Sequence, residues 1–217
     1  MEVKLISNTP LEIADIAICK CYGNEPHSDS EKVKARINRV ANVSKHASTI
    51  EHLSYSFDID GVSRACLQEI CRHRISSYTV KSSRYTLQEL KQETPFIDIY
   101  SDFYSFTNDA YARAKKYVKL TENDMVNGCI ISSLEELRSI IAEGIPNDVA
   151  KYCMPEAYKT SLVMTINARA LQNFLTLRSS KHALKEIQEL ARNMFEVLPS
   201  DHKFLFEGIF VNEQTNL

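Results

Sequence analysis

The clearest repeating pattern in the chain lies between residues 52 and 60, where apolar and polar side chains alternate. Leu53, Tyr55, Phe57 and Ile59 are separated by single serine or aspartate residues. Because successive side chains of a strand point to opposite faces, this period of two predicts a half-buried antiparallel strand. Gly61 is expected to end that strand. Residues 3–6 and 161–166 are predicted to form further strands.

Elsewhere, apolar residues recur at spacings of three and four, which predicts helices. The first predicted helix begins at Thr9-Pro10, and Ser132 or Ser133 is expected to cap a later one that Gly144 and Pro146 end. Residues 48–51 match the capping-box pattern, which predicts a helix N-terminus just beyond His46. Residues 75–86 have no clean period and are interpreted as extended or looped. After the first, the predicted helices cover residues 32–45, 62–72, 100–120, 133–143, 167–177 and 181–198, with one more turn at residues 147–148.

These elements favour an α+β fold, because helices and strands follow one another without a regular strand–helix repeat. The chain has 217 residues, 44% of them hydrophobic, with no internal repeat and no linker, so a single domain over residues 1–217 is predicted. The longest apolar runs are far shorter than the roughly 20 residues that span a bilayer, and a cytoplasmic protein is expected. The six cysteines include no CxxC pair, so no metal site is predicted and the thiols are expected to be reduced. Cys19 and Cys21 are interpreted as small buried hydrophobic residues.

The net charge of -2 conceals strong local differences in charge. Residues 64–84 and 151–192 each carry a net charge of +4, whereas residues 85–109 carry -4. A total so near zero argues against a protein that coats nucleic acid by bulk electrostatics. Solvated basic surface is the ordinary explanation for the two basic segments. In the first, however, Arg72-His73-Arg74 stands where a helix is predicted to end and a hydroxyl-rich segment begins, which suits a defined phosphate ester.

The second basic segment combines amides and guanidinium groups on an otherwise apolar predicted helix. Asn167 and Arg178 are eleven residues apart and lie on nearly the same face, roughly 16 Å from one another. Such groups are costly inside a core unless they are paired, so they are interpreted as lining a long polar ligand such as a flavin dinucleotide. The chain has no GxGxxG, Walker, GxSxG or HExxH pattern. Its chemistry is therefore expected to come from a bound cofactor.

Several motifs together resemble one family. Arg72-His73-Arg74, seven residues and then Ser82 is similar to the RHR-x7-S signature of the flavin-dependent thymidylate synthases. The family's other motifs lie on either side of it and in the right order. They are residues 3–7, 46–48 with 51–52, 61–65, 167–169, 173–174, 177–178, 182–183 and 186–188.

The resemblance implies a chemistry. A methylene group would pass from 5,10-methylenetetrahydrofolate to C5 of dUMP, and reduced FAD, regenerated by NADPH, would supply the hydride that completes the methyl group. The products would be dTMP and tetrahydrofolate. The resemblance also implies a homotetramer with active sites where subunits meet, and no nucleic-acid or membrane partner.

The resemblance further implies roles for individual residues. Arg178 is the candidate catalytic residue, because a guanidinium against the uracil edge stabilises negative charge on N3 and O4. The implied cofactor-binding residues are His46, Ser48, Arg72, His73, Arg74, Val80, Asn167, Arg169 and Asn173. The implied dUMP-binding residues are Glu69, Arg72, Lys81, Ser82, Ser83, Arg84, Lys151 and Arg178.

Three positions depart from the family pattern. Thr79-Val80 replaces Asn-Glu inside the signature, which removes a carboxylate. Lys151 stands where an arginine is expected, and it supplies a point charge without the bidentate fork. Glu69 stands where a glutamine is usual, and its carboxylate is a candidate replacement for the missing one.

Two other functions remain open. The departures leave room for a nucleotide-binding or flavin-binding homologue without synthase activity, which would bind dUMP without releasing tritium from its C5 position. An RNA-binding protein would need exposed aromatic residues among the cations, for which Tyr78 and Tyr85 are the candidates in the first basic segment.

Overall fold

The computed structural model describes residues 1–97 and 107–210, without the side chain of Thr86. The strands are β1 (Glu2–Asn8), β2 (Ser54–Ser63), β3 (Ser76–Val80) and β4 (Lys159–Asn167). The α-helices are α1 (Glu12–Tyr22), α2 (Ser30–Ile37), α3 (Arg64–Ile70), α4 (Ser83–Thr86), α5 (Gln88–Lys91), α6 (Asn108–Tyr117), α7 (Asp124–Ala142), α8 (Asn147–Ala150), α9 (Ala168–Arg178) and α10 (Lys185–Glu196). A π-helix (Asn38–Val43) and three 3-10 helices (Ala47–His52, Lys151–Cys153 and Lys203–Phe206) complete the described elements.

The four strands form one antiparallel sheet in the order β1-β2-β4-β3. Strands β1 and β2 pair from Glu2 opposite Asp60 to Asn8 opposite Tyr55, and the register shifts between Leu5 and Ser7. A central sheet with helices between and after its strands confirms the predicted α+β class.

Strand β2 confirms the alternating pattern that predicted it. Tyr55, Phe57 and Ile59 are fully buried, while the serine and aspartate residues between them are partly exposed. The strand does not end at Gly61 as predicted. Gly61 has a φ of 77°, a value that suits a residue without a side chain, and the chain stays extended as far as Ser63.

The chain folds into two compact units, and the first comprises residues 1–60, 69–79 and 162–217. Its buried core includes the inward face of β2 and the apolar sides of α9 and α10, represented by Phe174 and Leu190. Within this core the Tyr55 hydroxyl lies 2.9 Å from Nδ1 of His202, and both side chains are buried.

The second unit comprises residues 61–68 and 80–161. Its core forms around α7, whose Ile131, Leu134, Leu137 and Ile141 recur at helical spacing and are buried. Among the described residues, no helix has the length and apolar character needed to cross a membrane. The prediction of one domain over residues 1–217 stays a prediction.

Two predicted caps are wrong, although the helix start just beyond His46 is confirmed. Helix α7 begins at Asp124 rather than near Ser132, because the Asn123 side chain accepts a hydrogen bond from the Val126 amide and the apolar spacing already runs through this earlier part of the helix. Ser48 does not cap a helix either. It lies inside the 3-10 helix Ala47–His52, whose N-cap residue is His46.

Other boundaries differ from the predictions by less. Residues 76–80 form strand β3 and residues 83–86 form helix α4, where the sequence lacked a clear period. The predicted helix over residues 32–45 changes to a π-helix after Ile37. Of the predicted helix over residues 100–120, residues 100–106 lie outside the described residues. All six cysteines are free, but Cys21 is exposed, contrary to prediction.

Candidate functional site

The Arg72-His73-Arg74 segment belongs to the first unit, and in the chain it stands between helix α3 and strand β3. The Tyr78 hydroxyl lies within hydrogen-bond distance of the carbonyl oxygens of Ile70 and His73, at 3.0 and 2.7 Å. The Ser76 hydroxyl also donates to the His73 carbonyl, at 2.7 Å. These hydrogen bonds hold the backbone of the segment in a fixed turn.

The predicted residues Asn167, Arg169, Asn173 and Arg178 form a second group, and the junction of β4 and α9 positions them. Asn167 is the N-cap of α9, and its side-chain oxygen accepts a hydrogen bond from the Ala170 amide at 2.8 Å. Asparagine is favoured at this position because it satisfies one of the free amides of the first turn. The cap fixes where the helix begins, and therefore which of its residues share a face.

The two groups line one cavity of about 690 Å³ in the first unit. This volume lies within the usual range of ligand sites. Seven residues predicted from the sequence contribute to the lining, namely Arg72, His73, Arg74, Asn167, Arg169, Asn173 and Arg178. The other lining residues are Glu51, Ile75, Ala170 and Leu177.

Arg178, the candidate catalytic residue, is held by three hydrogen bonds. Its Nε donates to Nε2 of His73 at 2.9 Å, Nη1 donates to Oε2 of Glu69 at 2.7 Å, and Nη2 donates to the Glu69 carbonyl at 2.9 Å. The side chain of Arg178 is 15% exposed. The guanidinium plane is thus fixed at three of its five N–H groups.

His73 is the neutral member of this network. Burial, reinforced by the positive charge of Arg178 and opposed by Glu69, lowers the pKa of His73 to about 4. Because Nε2 accepts the hydrogen bond from Arg178, the proton of the neutral ring is assigned to Nδ1. The ring also packs on Phe174, with ring centroids 4.6 Å apart.

The cavity is strongly basic. Its lining carries four guanidinium groups and one carboxylate, Glu51, which lies 2.5 Å from Nη1 of Arg169. Apolar side chains, including Ile75 and Leu177, share the lining with these charges. This combination suits an anionic ligand that also carries an apolar or aromatic part.

Two predicted cofactor-binding residues of the first unit are not among the residues that line the cavity. Ser48 lies within the 3-10 helix Ala47–His52, and His46 precedes it. Nδ1 of His46 lies 3.2 Å from the Tyr22 hydroxyl. Glu69 likewise does not line the cavity and contacts it through Arg178.

The remaining predicted residues belong to the second unit. Val80 ends strand β3, and Ser82, Ser83 and Arg84 stand at the start of helix α4. The Lys81 amide donates to the Ser161 carbonyl at 2.8 Å. Arg84 lines a cavity of about 350 Å³ in this unit, and Lys81 lines another of about 280 Å³. The Lys151 ammonium lies 5.9 Å from the Tyr152 ring centroid, and Tyr152 is itself 86% exposed.

Sequence reasoning missed four of the lining residues. Glu51 belongs to one of the family motifs, but its pairing with a residue 118 positions later has no local signal. Ala170 and Leu177 could have been found from the helical spacing, because Ala170 lies three positions before Asn173 and Leu177 lies four positions after it. Ile75 is 71% exposed, but nothing in the sequence around Arg74 indicates that exposure.

Comparison with known proteins identifies the family. Residues 4–200 match the family model described as thymidylate synthase complementing protein. The flavin-dependent thymidylate synthase of Wolinella succinogenes is 52% identical over 208 residues, which are 95% of this chain and 97% of that protein. The enzyme of Helicobacter pylori is 50% identical over 95% of this chain and 98% of that protein.

Solved structures agree. A crystal structure of thymidylate synthase X from Helicobacter pylori with FAD and dUMP superposes with a TM-score of 0.89 at 47% identity, and the match covers 97% of this chain and 100% of that chain. A second structure of the same enzyme complexed with FAD and dUMP gives a TM-score of 0.87 at 49% identity over 95% of this chain and 98% of that chain. The resemblance inferred from the RHR-x7-S motif is therefore confirmed, and the chain belongs to the flavin-dependent thymidylate synthase family.

Proposed function

We propose that this chain makes dTMP from dUMP. The methylene group of 5,10-methylenetetrahydrofolate is transferred to C5 of dUMP, and a hydride from reduced FAD completes the methyl group, leaving tetrahydrofolate. NADPH regenerates the reduced flavin. The observation that carries the proposal is the cavity of the first unit, where the arginines of the signature meet those of α9 in a chain of this family.

The residues that line the cavity fit FAD. The four guanidinium groups offer charge-assisted hydrogen bonds to the anionic pyrophosphate of the cofactor. Ile75 and Leu177 offer apolar surface to its ring system, and the amides of Asn167 and Asn173 offer donors and acceptors to its polar edges. When bound, FAD supplies the two-electron reducing power that the protein's own side chains lack.

Arg178 is proposed to act on the pyrimidine. Three of its N–H groups are used by His73 and Glu69, which leaves two for a ligand. Directed at the uracil edge, these two donors stabilise the negative charge that C5 must gain to attack the methylene carbon. No nucleophilic side chain is needed for this step, so Ser82 is proposed as a ligand of dUMP.

The remaining dUMP contacts are proposed for residues of the second unit, namely Lys81, Ser82, Ser83, Arg84 and Lys151. The exposure of Tyr152, beside Lys151, supports an additional role in a homotetramer whose sites are completed by neighbouring subunits. Val80 and His46 are proposed for the flavin and folate side of the site. A cytoplasmic location also stays a prediction.

The test begins with the absorbance spectrum of the purified protein. Oxidised-flavin bands are expected, and they should bleach with NADPH under anaerobic conditions and return when dUMP and methylenetetrahydrofolate are added, with dTMP formed. A protein that cannot be reconstituted with FAD would refute the proposal. Tight dUMP binding without tritium release from C5 would instead indicate a binding homologue without synthase activity.

A matched pair of variants extends this test to Arg178. Arg178→Lys keeps the positive charge but cannot make all three hydrogen bonds of the planar fork. We expect dTMP formation to fall about 100-fold or more. Arg39→Lys makes the same change at an exposed position of the first unit and should leave turnover unchanged.

A further inference from the structure

Glu69 holds two arginines of the site at once. Its Oε2 and its own carbonyl oxygen accept from the two terminal nitrogens of Arg178, and its Oε1 lies 3.5 Å from Nη1 of Arg72. The Arg178 side chain is 15% exposed and that of Glu69 is 32% exposed, whereas that of Arg72 is 73% exposed. The contact with Arg178 is therefore the less hydrated of the two, and it is the stronger one.

Glu69 is not one of the residues that line the cavity. Arg178 and Arg72 both contribute to the lining. Helix α3 carries Glu69 at the turn before Arg72, so its carboxylate approaches the arginines from the helix side. Glu69 thus has the contacts of a residue that orients another one.

We propose that Glu69 is a positioning residue, which fixes the plane of the Arg178 guanidinium so that its two remaining N–H groups are presented to the cavity. The proposal rests on the proposed function, since it assigns the orientation of the group that acts on the pyrimidine. It differs from the direct dUMP contact that the family resemblance implied for Glu69. Replacing a residue that binds dUMP directly would mainly weaken substrate affinity, whereas replacing a positioning residue would mainly lower turnover.

The pKa of His73 depends on both Arg178 and Glu69. Nε2 of the His73 ring accepts from Arg178, and the negative charge of Glu69 raises the pKa of His73 against the effects of burial and Arg178. Among the described residues, the charged groups that act on the ring are Arg178 from α9 and Glu69 from α3. Changing Glu69 should alter the titration of His73 whether or not the protein makes dTMP.

The test compares Glu69→Gln and Glu69→Ala with the unchanged protein, all loaded with FAD. Glutamine keeps one acceptor for Arg178 but no charge, while alanine removes the side-chain acceptor. We expect kcat to fall about 10-fold in Glu69→Gln and about 100-fold in Glu69→Ala, with the KM for dUMP changing less than 3-fold. Glu31→Gln removes the same charge from an exposed pair with Lys34 in the same unit and should change neither constant.

A second measurement does not depend on activity. In protein with 13C-labelled histidine, the pKa of His73 should be lower in Glu69→Gln than in the unchanged protein, because a charge that raises it has been removed. An unchanged His73 titration would overturn the proposal. A rise in the KM for dUMP with kcat unchanged would also overturn the proposal, because it would indicate that Glu69 binds dUMP directly. If the unchanged protein formed no dTMP, the proposed function would fail, and the titration would still test whether the charge of Glu69 acts on the Arg178–His73 pair.

Discussion

Acid conditions should destabilise this protein through His73. The pKa of His73 lies at about 4 in the folded chain, because of burial first and Arg178 second, whereas an unfolded histidine titrates near 6.5. Between these values the unfolded chain binds a proton that the folded chain excludes, so stability falls as the pH falls. For one such group the free energy of unfolding should decrease by about 2 kcal/mol between pH 7 and pH 5.

The control is His73→Gln, which keeps an acceptor for Arg178 and does not titrate. Urea unfolding of both proteins at pH 7 and pH 5 gives four free energies, and the unchanged protein should lose about 2 kcal/mol more than the variant. Burial also lowers the pKa of His202, but that effect is present in both proteins and cancels in the comparison. Equal losses in the two proteins, or a His73 that titrates near 6.5 by NMR, would refute the reasoning.

Three stability predictions test the rest of the fold, each by urea unfolding at pH 7. Tyr55→Phe leaves the buried Nδ1 of His202 without its partner and should cost about 1–3 kcal/mol, whereas an unchanged midpoint would contradict the hydrogen bond. Arg36→Met leaves the buried carboxylate of Asp15 without the guanidinium 3.2 Å away and should cost about 3–5 kcal/mol, much of which a second change, Asp15→Asn, should restore. Asn123→Ala removes the cap of α7 and should cost about 1 kcal/mol, and Asn123→Ser should recover most of it.

The sequence predicted the elements best where one face of an element is buried. Strand β2 followed from the alternation of Tyr55, Phe57 and Ile59, because burial on one side of a sheet imposes that period. Caps were predicted less well. Ser132 and Ser133 have the residue type of a cap, but they lie in the interior of α7, where the apolar spacing outweighs the weak preference of serine for helix ends.

The candidate site was predicted through its motifs, and its internal contacts were not. Asn167 and Arg178 could be assigned to one face of a helix because helical geometry fixes their spacing. The ion pair of Glu51 with Arg169 and the hydrogen bond of Arg178 to His73 join residues more than a hundred positions apart. Such contacts depend on how the chain folds back on itself, and no local pattern encodes them.

The two carboxylate–arginine pairs at this cavity should respond differently to an anionic ligand. The side chains of Arg169 and Glu51 are 57% and 44% exposed, so their ion pair is well hydrated and worth about 1 kcal/mol or less. A phosphate group can therefore displace Glu51 and recruit Arg169 at little cost. Arg178 is far less exposed and makes three hydrogen bonds, so displacing Glu69 would leave partly buried polar groups without partners. We therefore expect Arg169 to turn toward an anionic ligand that enters the cavity, and Arg178 to keep its orientation.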